Sequence, residues 1–207
     1  MRYLVAALAI VGLCVGVSRP ITVLAQGSPV RTVKGGILDE VKLYTAEPPA
    51  SKVVVIRPFS ATDADIVNGD KKDETKKMQV TAPDILDGVF VSKLKAMGPF
   101  TDVSALAAGA TPPAGSMVVE GKFTEMDPGS RAKRYFVGYG AGKSGVMVEG
   151  KVRSSEGTLL ATFEQRRVGV IGVAGGDSLD KLTDDTKAIG EDIAKFLSEW
   201  AKGKKLK

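Results

Sequence analysis

The segment GYGAGKSG, Gly138 to Gly145, holds the residue types that a phosphate-binding loop uses. A P-loop needs G-x-x-x-x-G-K-S, in which backbone N–H groups and the lysine cradle the phosphates. Counted back from Gly142, Lys143 and Ser144, the first glycine belongs at the position occupied by Val137, so the spacing fails by one. Gly140, Gly142 and Gly145 do satisfy G-x-G-x-x-G. A dinucleotide loop of that form must open a helix whose N-terminal amides face the pyrophosphate. The next residues, VMVEGKV, have a strand pattern instead. The segment therefore reads as a glycine-rich turn or bulge between antiparallel strands, and no cofactor is expected.

Other candidate chemistry is weaker. Asp63, Asp65, Asn68, Asp70 and Glu74 resemble a calcium loop in composition. Val67 and Asn68 stand where an oxygen ligand and the turn glycine belong, so a solvated loop is expected and no metal site. The acid pairs Asp184-Asp185 and Glu191-Asp192 fall among lysines and read as surface charges of a helix, with no second carboxylate opposite them. Arg131, Lys133, Arg134, Lys143, Lys151, Arg153, Arg166 and Arg167 cluster along the sequence. They form either a basic patch for an acidic headgroup, polysaccharide or partner, or the solvated guard residues of strand edges. Lys143 and Ser144 are the one locally suggestive pair for lysine, serine or carboxylate catalysis.

The chain has no histidine, and its one cysteine is Cys14. Cys14 lies in the apolar run from Leu4 to Val17, behind Met1-Arg2 and ahead of Arg19-Pro20, the layout of a secretory signal. The run is too short for a membrane span of roughly 20 residues. Val23 and Ala25 suit cleavage after Ala25, whereas Leu13 is not the small residue that precedes a lipid-modified cysteine. The expected mature chain, roughly 180 residues, has neither Cys nor His, so disulfides, Cys/His zinc sites, and serine or cysteine catalysis with a histidine base are excluded. Losing Arg2 and Arg19 lowers the formal charge from +5 to +3, too mild to imply nucleic acid. A chain of that length buries a core as one domain.

The elements that must position these residues can be read from periodicity. Residues 26–50 read as a tether, 51–202 as one domain and 203–207, the end of KGKKLK, as a basic tail fraying into solvent. Lys52 to Arg57 is a β-branched strand, ended by Pro58 and Phe59. Asp63 to Lys77 reads as an exposed loop. Thr81 to Gly98 has helical spacing, with Ile85, Leu86, Val89, Phe90, Leu94 and Met97 on one side, Thr81 as cap and Pro83 in the first turn. Phe100 to Ser104 is a short strand. Ser116 to Glu125 alternates Met117, Val119, Gly121 and Phe123 against Glu120, Lys122 and Thr124. Further strands are expected at Tyr135 to Tyr139, Gly145 to Arg153 and Thr158 to Val168, the last two joined by a hairpin at Ser154 to Gly157. A final helix from Asp177 or Ser178 to about Lys202 carries Leu182, Ile189, Ile193, Phe196, Leu197 and Trp200. The expected fold is α+β, an antiparallel sheet of about five strands with two packed helices.

The stretch DPGSRAKRYFVGYGAGKSGVMVEGKV, followed by a glycine-rich connection, GGDS and a helix containing DIAKFL, resembles the bacterial family known as domain of unknown function 4410. The resemblance runs roughly from Lys52 to Leu197, and GSRAKRYFVGYGAGKS is its specific part. It implies an exported, often lipid-anchored protein and transfers no catalytic residues. The element order is also similar to small periplasmic domains of outer-membrane secretion and envelope-assembly lipoproteins, a likeness of fold alone. The expectation is a non-catalytic periplasmic or envelope-associated interaction module. Its contact surface is Arg131, Lys133, Arg134, Gly138, Gly140, Gly142, Lys143 and Ser144, toward an envelope protein or an anionic envelope component and not nucleic acid. Peripheral membrane association, a homo-oligomeric ring at the outer membrane, and a hydrolytic or ligand-binding enzyme are the alternatives.

Overall fold

A computed structural model describes residues 27–67, 72–129, 144–169 and 178–206. In chain order come β1 (Arg31–Lys34), β2 (Glu40–Leu43), β3 (Val53–Ile56), the two-residue β4 (Asp65–Ile66) and α1 (Lys72–Met97). β5 (Asp102–Ala105), β6 (Met117–Asp127), β7 (Ser144–Ser154), β8 (Leu159–Gly169) and α2 (Ser178–Ala201) complete it. The sheet order is β1-β2-β8-β7-β6-β3-β5, with β4 beside the far end of β6.

This is an α+β fold with a mixed sheet of eight strands among the described residues, which corrects the expected antiparallel sheet of about five. One half is antiparallel, the β6-β7-β8 meander with the β1-β2 hairpin added on the β8 side. The other is parallel, because α1 carries the chain back to lay β5 along one side of β3, and residues 106–116 return it to lay β6 along the other. Parallel pairing needs such crossovers, which periodicity does not reveal. Ser60 and β4 extend the β3 side along β6 after an interruption at Pro58 and Phe59. The expected tether is also corrected: residues 31–34 and 40–43 are a hairpin paired through β2 onto β8. Its turn is fixed by the Asp39 N–H donating to Gln165 Oε1 at 2.9 Å and Asp39 Oδ2 accepting from the Arg166 N–H at 2.7 Å. The expected strand Tyr135 to Tyr139 lies outside the described residues.

Both helices cover one face. Val119, Phe123, Val146, Val148, Val152, Ala161 and Phe163 from the long strands meet Leu86, Phe90 and Leu94 of α1 and Ile189, Ile193, Phe196 and Trp200 of α2, all buried. Phe196 bridges the layers, its ring 6.1 Å from that of Phe163 and stacked 5.6 Å from Trp200. The helices touch at Gly190, where a Cβ would stand 2.9 Å from the Leu86 carbonyl oxygen. α1 begins at Lys72, well before the expected cap at Thr81. The C-terminal end of the anticipated loop from Asp63 to Lys77 is therefore helical, and Pro83 is interior. Thr75, Met78 and Ala82, all buried, continue the stripe of Leu86 and Phe90 toward the N-terminus. One methionine among charges hid that turn from a reading of apolar spacing.

The basic tail does not fray. The N–H groups of Gly203 and Lys204 donate to the carbonyls of Trp200 and Glu199 at 2.9 and 3.0 Å, a reversed terminal turn. It folds the chain back so that Leu206 is buried and its carbonyl accepts from the Arg31 guanidinium at 3.2 Å.

Candidate functional site

Of the expected contact residues, Arg131, Lys133, Arg134, Gly138, Gly140, Gly142 and Lys143 lie outside the described residues. Ser144 opens β7 opposite Gly169. It is buried, and its Oγ has no hydrogen-bond partner among the described residues. The flanks of the glycine-rich segment are the paired ends of β6 and β7, with Asp127 opposite Gly145.

The remaining members of the basic cluster are not on edges. β7 and β8 are interior strands, and each of their arginines meets a carboxylate. Arg153 Nε donates to Glu120 at 3.2 Å, Arg166 Nη2 to Glu125 at 2.7 Å, and Arg167 to Asp192. The positive charge of these three arginines is thus offset across the fold, while Lys151 makes no ion pair within 4 Å among the described residues. The acid pairs need a similar correction, because Asp185 and Asp192 are not surface charges. Asp185 is buried beside Lys181 Nζ at 3.0 Å, and its Oδ2 has no partner among the described residues. Asp192 is half-buried and accepts from both Arg167 and Gln165. Burial pushes its carboxyl upward, and the Arg167 guanidinium opposes that shift. This group ties α2 to β8.

On the face of the sheet away from the helices, side chains gather without a covering layer among the described residues. At one end, residues of the 106–116 connection shield it, Leu106 packing with Val55 and Val118. Over β6, β7, β8 and β2 no described residue covers it, and it holds a cavity of about 620 Å³. The register sets its outward residues in two rows. Lys122, Glu149, Glu164 and Glu40 are successive cross-strand partners, and Glu120, Lys151, Thr162 and Lys42 form the row beside them. With Arg57, the lining carries four basic and four acidic side chains. Gly121 and Gly150, paired across β6 and β7, underlie the cavity. On the helix side a Cβ at Gly121 would strike the Phe59 ring and one at Gly150 the Phe163 ring, so both rings lie flat against the strands.

The charges of this face are held unequally. Glu40 pairs with Lys34 at 2.8 Å and Lys42 at 2.6 Å. Hydrogen bonds from Lys34 and then Lys42 bring its carboxyl down to about 2, and Glu40 in turn raises Lys42. Glu120 lies between Arg57 and Arg153, at 3.8 and 3.2 Å. Lys122, Glu149, Lys151 and Glu164 make no ion pair within 4 Å among the described residues. Glu120 and Lys122 were legible as the polar side of an alternating strand. Glu40 and Lys42 were missed inside the expected tether, although Glu40-Val41-Lys42-Leu43 alternates in the same way.

Among the described residues no group of three or more Cys, His, Asp or Glu side chains is arranged to hold a metal ion. Asp63 precedes β4 and Asp65 opens it, Glu74 lies in the first turn of α1, and Asn68 and Asp70 lie outside the described residues. No described helix is long and apolar enough to cross a membrane.

The profile of the family described as Domain of unknown function (DUF4410) matches residues 54–173, more than half of the chain. The chain belongs to this family. The match runs from β3 through β8 and so includes the open face apart from β2, while α2 lies beyond it. No curated protein matches the sequence. Among solved structures, the DUF4410 chain is similar to the PelC dodecamer from Paraburkholderia phytofirmans in space group P6. That match has a TM-score of 0.43 and 14% identity, covering 73% of this chain and 96% of that one. A leucine-to-methionine variant of the PelC dodecamer from the same organism, in space group C2, is matched at TM-score 0.41 and 16% identity, covering 79% and 94%. The dodecameric state belongs to those proteins.

Proposed function

We propose that this DUF4410 protein is an exported, non-catalytic interaction module of the cell envelope whose contact surface is the open face of the sheet. The observation that carries the reading is the one-sided sheet. Its apolar face is closed by two helices, and the opposite face is left with a charged cavity of about 620 Å³. A charged sheet face in contact with water needs no covering to be stable, so the charge pattern itself does not report a partner. The concavity and the side chains left without ion pairs are what suit it to contact. The glycine-rich basic segment, with Arg131, Lys133, Arg134 and Lys143, joins β6 to β7, two of the strands that build this face. Export rests on the signal layout of residues 1–25, and the absence of histidine leaves no imidazole for acid–base work.

The test is expression of the full chain in a Gram-negative host, with a photoreactive residue at Thr162 in the open face or at Val80 on the exposed side of α1. The reading expects release by osmotic shock, an N-terminus at Gln26 by intact mass, and cross-linked adducts from Thr162 but not from Val80. Retention in the cytoplasm, or equal labelling from both positions, overturns it.

A further inference from the structure

We propose that the open face is self-complementary and meets the same face of a second copy of this chain. The proposal rests on the reading of that face as a contact surface and names what occupies it. Along β6, β7 and β2 the outward residues of the two rows carry opposite charges: Lys122 and Glu120, Glu149 and Lys151, Glu40 and Lys42. A twofold axis lying in the face, across the strands and between the rows, sets each row over the other row of the second copy. Glu149 then faces the partner's Lys151, Lys122 faces the partner's Glu120, and Glu40 faces the partner's Lys42, while Glu164 of β8 faces the partner's Thr162, which is uncharged. Every such contact occurs twice, as an isologous interface requires. The strands of the two copies run antiparallel, in the aligned manner of stacked sheets.

Two observations favour this occupant. Glu149, Glu164 and Glu40 are directly opposite one another across three adjacent strands, an arrangement that weakens a sheet unless the charge is answered. Inside one chain Glu40 is paired with Lys34 and Lys42, Lys122 stands opposite Glu149, and Lys42 lies near enough to Glu164 to feel its charge, yet neither Glu149 nor Glu164 has an ion pair within 4 Å among the described residues. The lining also has as many basic as acidic side chains, so a polyanion or a polycation would meet four like charges there. A surface that offers the same pattern inverted does not.

The experiment is sedimentation analysis of the purified exported chain over a range of concentrations at about 0.05 M and about 0.5 M salt, with cross-linking from Thr162. The expected result is a dimer at low salt that weakens roughly tenfold or more at high salt, with Thr162 adducts of twice the chain mass. Glu149→Lys sets like charges together and weakens association by roughly tenfold or more. The swap Glu149→Lys with Lys151→Glu inverts both rows at β7 and restores it to within about threefold. Unchanged melting curves of the variants exclude misfolding as the cause. A monomer at every concentration, or a dimer indifferent to the reversal, overturns the proposal. If the monomer nevertheless labels another envelope protein from Thr162, only the second copy falls and the contact face stands; if Thr162 labels nothing, both fall.

Discussion

The two faces of β6, β7 and β8 are made from alternate residues of the same three segments, yet they obey different rules. On the helix side Val119, Val148, Val152 and Ala161 are fully buried, and the space is so closely used that the strands carry Gly121 and Gly150 where any side chain would meet an aromatic ring. A Cβ at Gly121 would also lie 2.6 Å from the Glu149 carbonyl oxygen, a backbone atom that cannot step aside. On the outer side Glu120, Lys122, Glu149, Lys151 and Glu164 stand over a cavity, and only Glu120 is held by an ion pair among the described residues. One face is specified by volume and the other by the sign and register of its charges. The inner face therefore determines stability, and the outer face is the one proposed for contact.

The comparison can be broken most directly at the inner glycines. Phe163→Ala should cost about 3–5 kcal/mol through lost burial and the cavity left behind. Gly150→Val should cost about 3 kcal/mol by overpacking against that ring. The double variant should cost less than the sum of the two, because each removes what the other collides with or leaves empty. Urea denaturation of the three variants measures this, and additive costs would mean that the ring and the glycine do not share a space. At the helix crossing, Gly190→Ala would be favoured by about 1 kcal/mol from helix propensity alone. Here it should instead lose roughly 1–2 kcal/mol, since the Cβ meets the Leu86 carbonyl at 2.9 Å and the two helices must separate.

Asp87 sharpens the contrast, being a carboxylate beneath the helix layer. One of its oxygens accepts from the Phe59 N–H at 3.2 Å, and the other is buried without a partner among the described residues. Burial first, with a further push from Asp84, raises its carboxyl to about 6, against the hydrogen bond from Phe59. The folded chain therefore holds this proton more tightly than the unfolded chain. The contribution to stability is complete below the ordinary aspartate range near 4 and is lost as pH rises through about 6. Asp87→Asn should flatten that decline in a series of melting curves between about pH 4 and 7. The smallest effect belongs to the outer face, where Lys122→Ala should change stability by less than about 0.5 kcal/mol. A larger loss there would erase the distinction between the faces.

How much of this was legible in the sequence differs from element to element. β3, β6, β7, β8, α2 and the latter part of α1 are announced by their own spacing, because each buries one face and its period of two or 3.6 is written in consecutive residues. The first turns of α1 were not legible, since Thr75 and Met78 bury one narrow stripe among charges and Pro83 imitates a helix start. β1, β2 and β4 were not legible either. They are two to four residues long, and what makes them strands is an existing ladder on β8 or β6. The candidate site shows the same division. The basic cluster is visible as composition, but the pairing of Arg153, Arg166 and Arg167 with Glu120, Glu125 and Asp192 joins residues 25 to 41 positions apart.

The sequence by itself determined the family, the excluded chemistries and the apolar periodicities, because these depend on residue identity and near-neighbour spacing. Tertiary structure decided the direction of the strands, the burial of Asp185 and Leu206, and above all the register that turns Glu120, Lys122, Glu149, Lys151, Glu40 and Lys42 into two opposed rows. Register is a relation between segments distant in the chain. A slip of one residue would leave every local pattern intact while sending each of these side chains to the opposite face.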